Sequence, residues 1–308
     1  LTYLLYYPIT QELKTKPTQT AIRELQQVGI TPDILICRTE YPISNNIKNK
    51  LSLHTNLPVS HIIEAMNVDS IYQVPLCFLK ENVHSLLKHK FNISEELNSK
   101  KWVSLNNRIS SLRKTITIGI LGKYTELNDS YKSLLESIFH AGLYHNYKID
   151  IQWINARENS NLTMKDIQGV IIPGGFGITG IETMITFIQL LRERKIPTLG
   201  ICLGMQLMII EFCRNSLNMK NAGSSEFENY SPNVISKMND WSSSNYGGTM
   251  RLGNAQIHLS ESSKIKEIYQ KERIVERHRH RYDVNNIFSL KLEGKGFRIT
   301  GRCFNHNL

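Results

Sequence analysis

Apolar residues recur at Ala21, Ile22, Leu25 and Val28, the stripe of an amphipathic helix over residues 17–28. Pro17 suits the first helical position, and Gly29 is placed to end the helix. Residues 34–37, ILIC, read as a short buried strand, 60–66 as a second helical stretch, and 74–79, VPLCFL, as a strand or buried segment. Residues 91–114 are polar, dominated by Asn, Ser and Lys, with Trp102 as the main apolar anchor. That composition predicts a domain boundary near 100–114.

Beyond this point the alternation is cleaner. TITIGILG (115–122) predicts a strand, and Ser130 can cap a helix whose stripe is Leu134, Leu135, Ile138, Phe139 and Leu143. IDIQWI (149–154) and GVIIP (169–173) predict two more strands. A helix over about 180–194, a strand at IPTLGIC (196–202) and a helix at MQLMIIEFC (205–213) follow, and 214–250 is loop-rich. Strands alternating with helices predict an α/β fold with a parallel sheet, whose ligands sit beyond the carboxyl ends of the strands.

The 308 residues suit two domains, and 41% apolar with 21% charged residues excludes fibrous and wholly disordered classes. The net charge of +10 is spread over both parts, which fits small anionic ligands better than a nucleic-acid arm. Five cysteines without CxxC spacing argue against a disulfide scaffold or zinc ribbon and for a reducing cytoplasm. The apolar run 199–212 is too short and too polar to span a membrane. The opening LTYLLYYPIT lacks both an initiating Met and a cationic start, so it reads as a strand entered midway, not a signal peptide.

Gly200-Ile201-Cys202-Leu203-Gly204 is the sharpest chemical signal. A strand running straight into a helix, with Cys202 at the corner between glycines, exposes the sulfur above the sheet. The helix N-terminus that follows favours the nucleophilic thiolate. A buried cysteine on a glycine-bounded turn would give the same five letters. Pro173-Gly174-Gly175-Phe176-Gly177 forms a second corner, whose backbone N–H groups can approach an oxyanion. Together the two corners favour acyl transfer. No base is visible: none of His258, His278, His280 and His306 has a carboxylate two positions on. RHRHR (277–281) reads as a basic strand with its three arginines on one face. Lys14 to Gln19 place two lysines and two hydroxyls at a helix start, where an anion can be held, though on these residues alone a solvated, well-capped helix start is the better reading.

With these residues in view, the chain resembles the CTP synthase family. The segments are ELKTKPTQ (12–19), GITPDILICR (29–38), VDSIYQVPL (68–76), IGILGKYTELNDSYKS (118–133), IPGGFG (172–177), LGICLGMQ (199–206), GGTMRLG (247–253) and IVERHRHRYDVNN (274–286), in the family's order. LGICLGMQ resembles class I glutamine amidotransferases in general, whereas KTKPTQ and ERHRHRY narrow the resemblance to this family. It implies the end of a Rossmann-like amidoligase domain over 1–105, a linker over 106–114 and a flavodoxin-like class I amidotransferase domain over 115–308.

The resemblance further implies a ligase that aminates UTP to CTP with ATP, Mg²⁺ and ammonia from glutamine. Cys202 would form a glutamyl thioester, with Gly175 and Leu203 as oxyanion donors. Gly204, Met205 and Gln206 would line the glutamine site, Glu226 would hold the α-amino group and Arg302 the α-carboxylate. Lys14, Thr15, Lys16, Pro17, Thr18, Gln19 and Lys50 match positions for UTP, or for CTP as feedback inhibitor. Met66, Asn67 and Val68 match a segment near ATP, where the family usually has Lys-Asp-Val, and Gln11 stands where a Gly is usual. The family's phosphate loop and magnesium carboxylates would lie before Leu1, and its His-Pro-Glu base segment after Leu308, so no metal ligand is assigned here. GTP as activator, a homotetramer, and no nucleic-acid or membrane partner complete what is implied. The alternative is a non-catalytic remnant or subunit-interaction fragment that binds nucleotide or glutamine weakly.

Overall fold

The computed structural model describes residues 1–123, 128–156, 166–227, 230–237 and 251–303. It divides into two compact units, Leu1–Leu112 and Arg113–Leu308. In the first unit β1 (Thr2–Tyr3), β4 (Leu35–Thr39) and β5 (Ile62–Met66) form a parallel sheet in the order β1-β4-β5. A hairpin of β2 (Leu5–Tyr7) and β3 (Glu12–Lys14) leads into α1 (Lys16–Gln27), and α2 (Asn45–Thr55) connects β4 to β5. Leu4, Ile22, Leu35, Cys37, Leu51 and Ile62 close a small core between sheet and helices. Full burial of each such aliphatic side chain stabilises the fold by about 1.5–3 kcal/mol.

Three expectations change here. Residues 62–66 are strand, because IIEAM pairs in parallel with β4 from Leu35↔Ile62 to Thr39↔Met66. Residues 74–79 lie in α3 (Val74–Lys80), a helix with a proline in its first turn, followed by α4 (Val83–Phe91). The polar stretch over 100–111 is α5 (Lys100–Ser111), a largely exposed helix with Trp102 itself 40% exposed. Asn106 ties α5 back to the first unit by donating to the Tyr72 carbonyl at 2.7 Å.

In the second unit β6 (Lys114–Gly122), β7 (Tyr147–Asn155), β8 (Ile167–Ile172) and β9 (Thr198–Gly200) form a parallel sheet in the order β7-β6-β8-β9. The first two strands of this order are reversed relative to the chain, which is the flavodoxin-like arrangement with a switch point beside β6 and β8. α6 (Lys132–His145), α7 (Ile181–Glu193) and α8 (Leu203–Ser216) connect or follow these strands. α6 follows a short turn over Asn128–Tyr131 and carries no side-chain cap, so Ser130 does not cap it. The core joins Leu121, Ile172, Met184, Leu191, Leu207 and Ile210. Two smaller sheets, β10-β11-β14 and β13-β12-β15, use β10 (Gly223–Ser224), β11 (Asn233–Lys237), β12 (Arg251–Leu259), β13 (Arg273–His280), β14 (Tyr282–Val284) and β15 (Gly301–Cys303). α9 (Lys264–Tyr269) and α10 (Ser289–Glu293) complete the unit. Residues 238–250, within the loop-rich expectation, lie outside the described residues.

α7 and α8 are joined by a bidentate ion pair. Arg192 reaches both oxygens of Glu211, which is 1% exposed and also accepts from Asn215 at 3.0 Å. A carboxylate so buried depends on its cation more than an exposed pair would. Arg192→Met is expected to destabilise the fold by on the order of 3 kcal/mol, read as a lowered denaturant midpoint at unchanged slope. A midpoint within error of the wild type would contradict this.

Candidate active site

β9 ends at Gly200 and α8 begins at Leu203, so Ile201 and Cys202 alone make the corner. Cys202 has φ 54° and ψ −110°, a backbone conformation that residues with a side chain seldom adopt. The surroundings hold it there. Ile201 donates its N–H to the Ile172 carbonyl at 2.8 Å, and α8 starts hard against the end of β8. A Cβ at Gly204 would lie 2.1 Å from that carbonyl oxygen, so only glycine permits the approach. The outcome is a half-buried thiol at the carboxyl end of the sheet.

The loop after β8 runs along the sulfur: a Cβ on Gly174 would stand 3.8 Å from Cys202 Sγ. A cavity of about 220 Å³, sized for an amino acid, is lined by Gly175, Phe176, Cys202, Gln206, Glu226 and the stretch His280-Arg281-Tyr282. Buried Gln206 donates to the Tyr282 carbonyl at 2.9 Å, fixing this stretch to α8. Glu226 accepts from the Gly177 N–H at 3.2 Å, and its own N–H donates to Ser224 Oγ. Arg281 Nε is buried with no hydrogen-bond partner among the described residues. The cavity thus presents a carboxylate, a guanidinium and a thiol together.

Burial pushes the Cys202 thiol above its ordinary pKa. The Leu203 N–H facing the sulfur opposes the shift, while the Glu226 and Asp283 carboxylates add to it. Burial therefore outweighs the helix N-terminus, contrary to the expected preference for thiolate. His280 Nε2 and His278 Nδ1 are 3.0 Å apart, and His280 Nδ1 is 3.1 Å from the Tyr282 carbonyl. Burial and Arg251 hold His278 below its usual pKa.

In the first unit, Lys14 on β3 pairs with Glu12 at 2.6 Å, and the Lys50 charge also acts on Glu12. Thr15 accepts from Gln19 Nε2 at 3.0 Å, and Thr18 is buried against Thr2 and the Tyr3 carbonyl. The two threonines are thus engaged in holding the turn, while Lys16 and Pro17 are exposed at the start of α1. Met66, Asn67 and Val68 line a separate cavity of about 580 Å³ with Arg38, whose Nε donates to Asn67 Oδ1 at 3.0 Å.

Comparison with known families agrees with this geometry. The family model for class-I glutamine amidotransferases matches residues 126–308. The chain belongs to the class-I glutamine amidotransferase family. The model for the CTP synthase N-terminus matches residues 1–93. A CTP synthase of Hydrogenobaculum sp. is 41% identical over 98% of this chain and 57% of its own length, and one of Wigglesworthia glossinidia brevipalpis is 41% identical over 100% and 60%. The chain thus spans about three-fifths of the length of these curated relatives. The Trypanosoma brucei CTPS glutaminase domain with bound acivicin is 31% identical, with a TM-score of 0.54 over 60% of this chain and 74% of that one.

Of the expected amidotransferase residues, Gly175, Cys202, Gln206 and Glu226 meet in the cavity, with Leu203 and Gly204 buried in the corner beneath. Met205 packs on the core. Arg302 does not join them: pairing of β15 with β12 sets it opposite His258, half exposed and 4.0 Å from Glu293. Arg281 was missed. Arg277 and Arg279 do share the exposed face of β13, but the strand ends at His280 and Arg281 turns into the cavity. The sequence pattern did not set it apart, since Arg281 continues the two-residue spacing of Arg277 and Arg279. His306 lies outside the described residues. Because the thiol is raised, alkylation of Cys202 by iodoacetamide should climb roughly tenfold per pH unit until well above the ordinary thiol value of about 8.5. A plateau near neutral pH, measured by peptide mass mapping, would contradict the burial effect.

Proposed function

We propose that this chain is the greater part of a glutamine-hydrolysing CTP synthase, with Cys202 as the glutaminase nucleophile. The observation carrying this reading is the cavity that gathers the Cys202 thiol, the Glu226 carboxylate and the unpaired Arg281 N–H. A free amino acid is zwitterionic, so its recognition needs one charge of each sign. Glu226 receives the α-ammonium and Arg281 the α-carboxylate, a role that the position of Arg302 beside Glu293 does not suit. Cys202 Sγ, as thiolate, attacks the side-chain amide carbon. The N–H groups of Leu203 and Gly175 donate to the developing oxyanion. The proton shed by the thiol is delivered to the amide nitrogen, ammonia leaves as the C–N bond breaks, and water hydrolyses the resulting glutamyl thioester to glutamate, returning the thiol. Docking of the α-ammonium on Glu226 also screens one of the two carboxylates that hold the thiol pKa up.

In the first unit, Lys14 to Gln19 with Lys50 are assigned to UTP or CTP, and the cavity at Met66, Asn67, Val68 and Arg38 to ATP. The ammonia aminates UTP in an ATP-dependent step. Mg²⁺ belongs to that step by resemblance. Among the described residues no group of three His, Cys, Asp or Glu could hold a metal ion, so no role is assigned to one here. Division into Leu1–Leu112 and Arg113–Leu308 supports an amidoligase part followed by an amidotransferase part. GTP activation, a homotetramer and a cytoplasmic setting rest on the resemblance to CTP synthases. No described helix is long and apolar enough to cross a membrane.

A diazo-ketone analogue of glutamine tests the reading. It should saturate and label Cys202 ahead of Cys77 and Cys303, and ahead of Cys37 and Cys213, which burial pushes up to about 11. Glutamate 226 changed to glutamine (Glu226→Gln) should raise the half-saturating concentration roughly tenfold, through loss of one charge-assisted contact. Labelling confined to another cysteine would refute the assignment.

A further inference from the structure

Lys123 follows directly on the last residue of β6, at the same end of the sheet as Cys202, yet it is only 5% exposed. Its stem passes the glycine loop, since a Cβ on Gly175 would lie 3.8 Å from Lys123 Cδ. Its ammonium donates to the Phe176 carbonyl at 3.4 Å and to the Gly177 carbonyl at 2.5 Å. Gly177 has φ +77°, which lets two successive carbonyls turn toward one cation. The Phe176 carbonyl and the Gly177 N–H belong to one peptide group, and that N–H donates to Glu226 Oε1 at 3.2 Å. A single peptide is therefore held between a buried ammonium on one side and a cavity carboxylate on the other.

From this geometry we infer that Lys123 is a positioning residue: by fixing the Phe176–Gly177 peptide it aims the Glu226 carboxylate at the substrate α-ammonium. The inference rests on the glutamine reading above for what Glu226 grips, though not for how the peptide is held. The ammonium polarises the carbonyl and so strengthens the N–H of the same peptide as a donor. Remove the ammonium and the Phe176 and Gly177 carbonyls lose their buried cation, leaving the peptide held on the Glu226 side alone and freer to turn. Glu226 would then lose its aim, while Cys202, held by its own corner between β9 and α8, would not. Lys123 thus acts chiefly on substrate grip, and reaches the sulfur only through the minor contribution of the Glu226 charge.

Lys123→Met keeps the stem and removes the charge. In diazo-ketone labelling of Cys202, its half-saturating concentration should rise roughly tenfold or more, the loss expected for a hydrogen bond to a charged group. The rate with iodoacetamide, which carries no amino group, should stay within about twofold of wild type at the same pH. Hydrogen exchange at the Gly177 amide should quicken in the variant, and Lys123→Arg, which keeps donors at that site, should recover part of both effects. Unchanged half-saturation, or equal slowing with both reagents, would overturn the inference. If the wild-type chain shows no saturation at Cys202, the glutamine reading falls instead. Exchange at Gly177 then decides for Lys123, faster exchange in the variant supporting its hold on the peptide and unchanged exchange refuting it. Where Lys123→Met does not fold, Lys123→Gln takes its place in the same measurements.

Discussion

The close approach of α8 to the end of β8 is the constraint on which the second unit's chemistry depends. Ile172 is the last residue of β8, and its carbonyl both receives the Ile201 N–H and lies where a side chain on Gly204 would be. That contact leaves two residues for the turn, which forces Cys202 to a positive φ and lifts its sulfur out of the core. The adjacent glycine loop then borders the sulfur because β8 and β9 are neighbours in register, Ile172 opposite Gly200. Three strand ends, those of β6, β8 and β9, therefore deliver Lys123, the Gly174–Gly177 loop and Cys202 to one place. Each is local in sequence, and only the parallel pairing brings them together.

Electrostatics within this arrangement are not uniformly helpful to a nucleophile. Burial and the Glu226 and Asp283 carboxylates push the thiol pKa up, and the Leu203 N–H only partly offsets them. Positive charge brought to Glu226 would offset part of that shift. In the glutaminase reading proposed above, the α-ammonium of the substrate would bring that charge, so recognition and easier ionisation would share one contact. Glu226 belongs to both effects, which makes the peptide that orients it more consequential than its distance from the sulfur suggests.

Much of this was legible from residues alone. The parallel sheet of the second unit follows from strands and helices in alternation, and the corner at Cys202 from two glycines bracketing a cysteine where one period gives way to the other. The first unit was harder. IIEAM has no periodicity that separates strand from helix, and its partner β4 decides the matter. VPLCFL is apolar enough for a strand, but its proline sits in the first turn of a helix that packs on only part of its surface. Arg281 was hidden because its facing depends on where β13 stops, and strand ends are poorly written in side-chain pattern. Nothing local to Lys123 shows that two carbonyls 53 and 54 residues onward turn toward it.

The most direct test of the central claim is protection of one sulfur by one substrate. Cys202 would be alkylated with iodoacetamide at a fixed mildly alkaline pH, with L-glutamine, D-glutamine or neither present, and each cysteine followed by peptide mass mapping. The account predicts that L-glutamine slows modification at Cys202 alone in a saturable way and that D-glutamine does not. Equal modification in all three samples, or protection at a cysteine elsewhere in the fold, would contradict it.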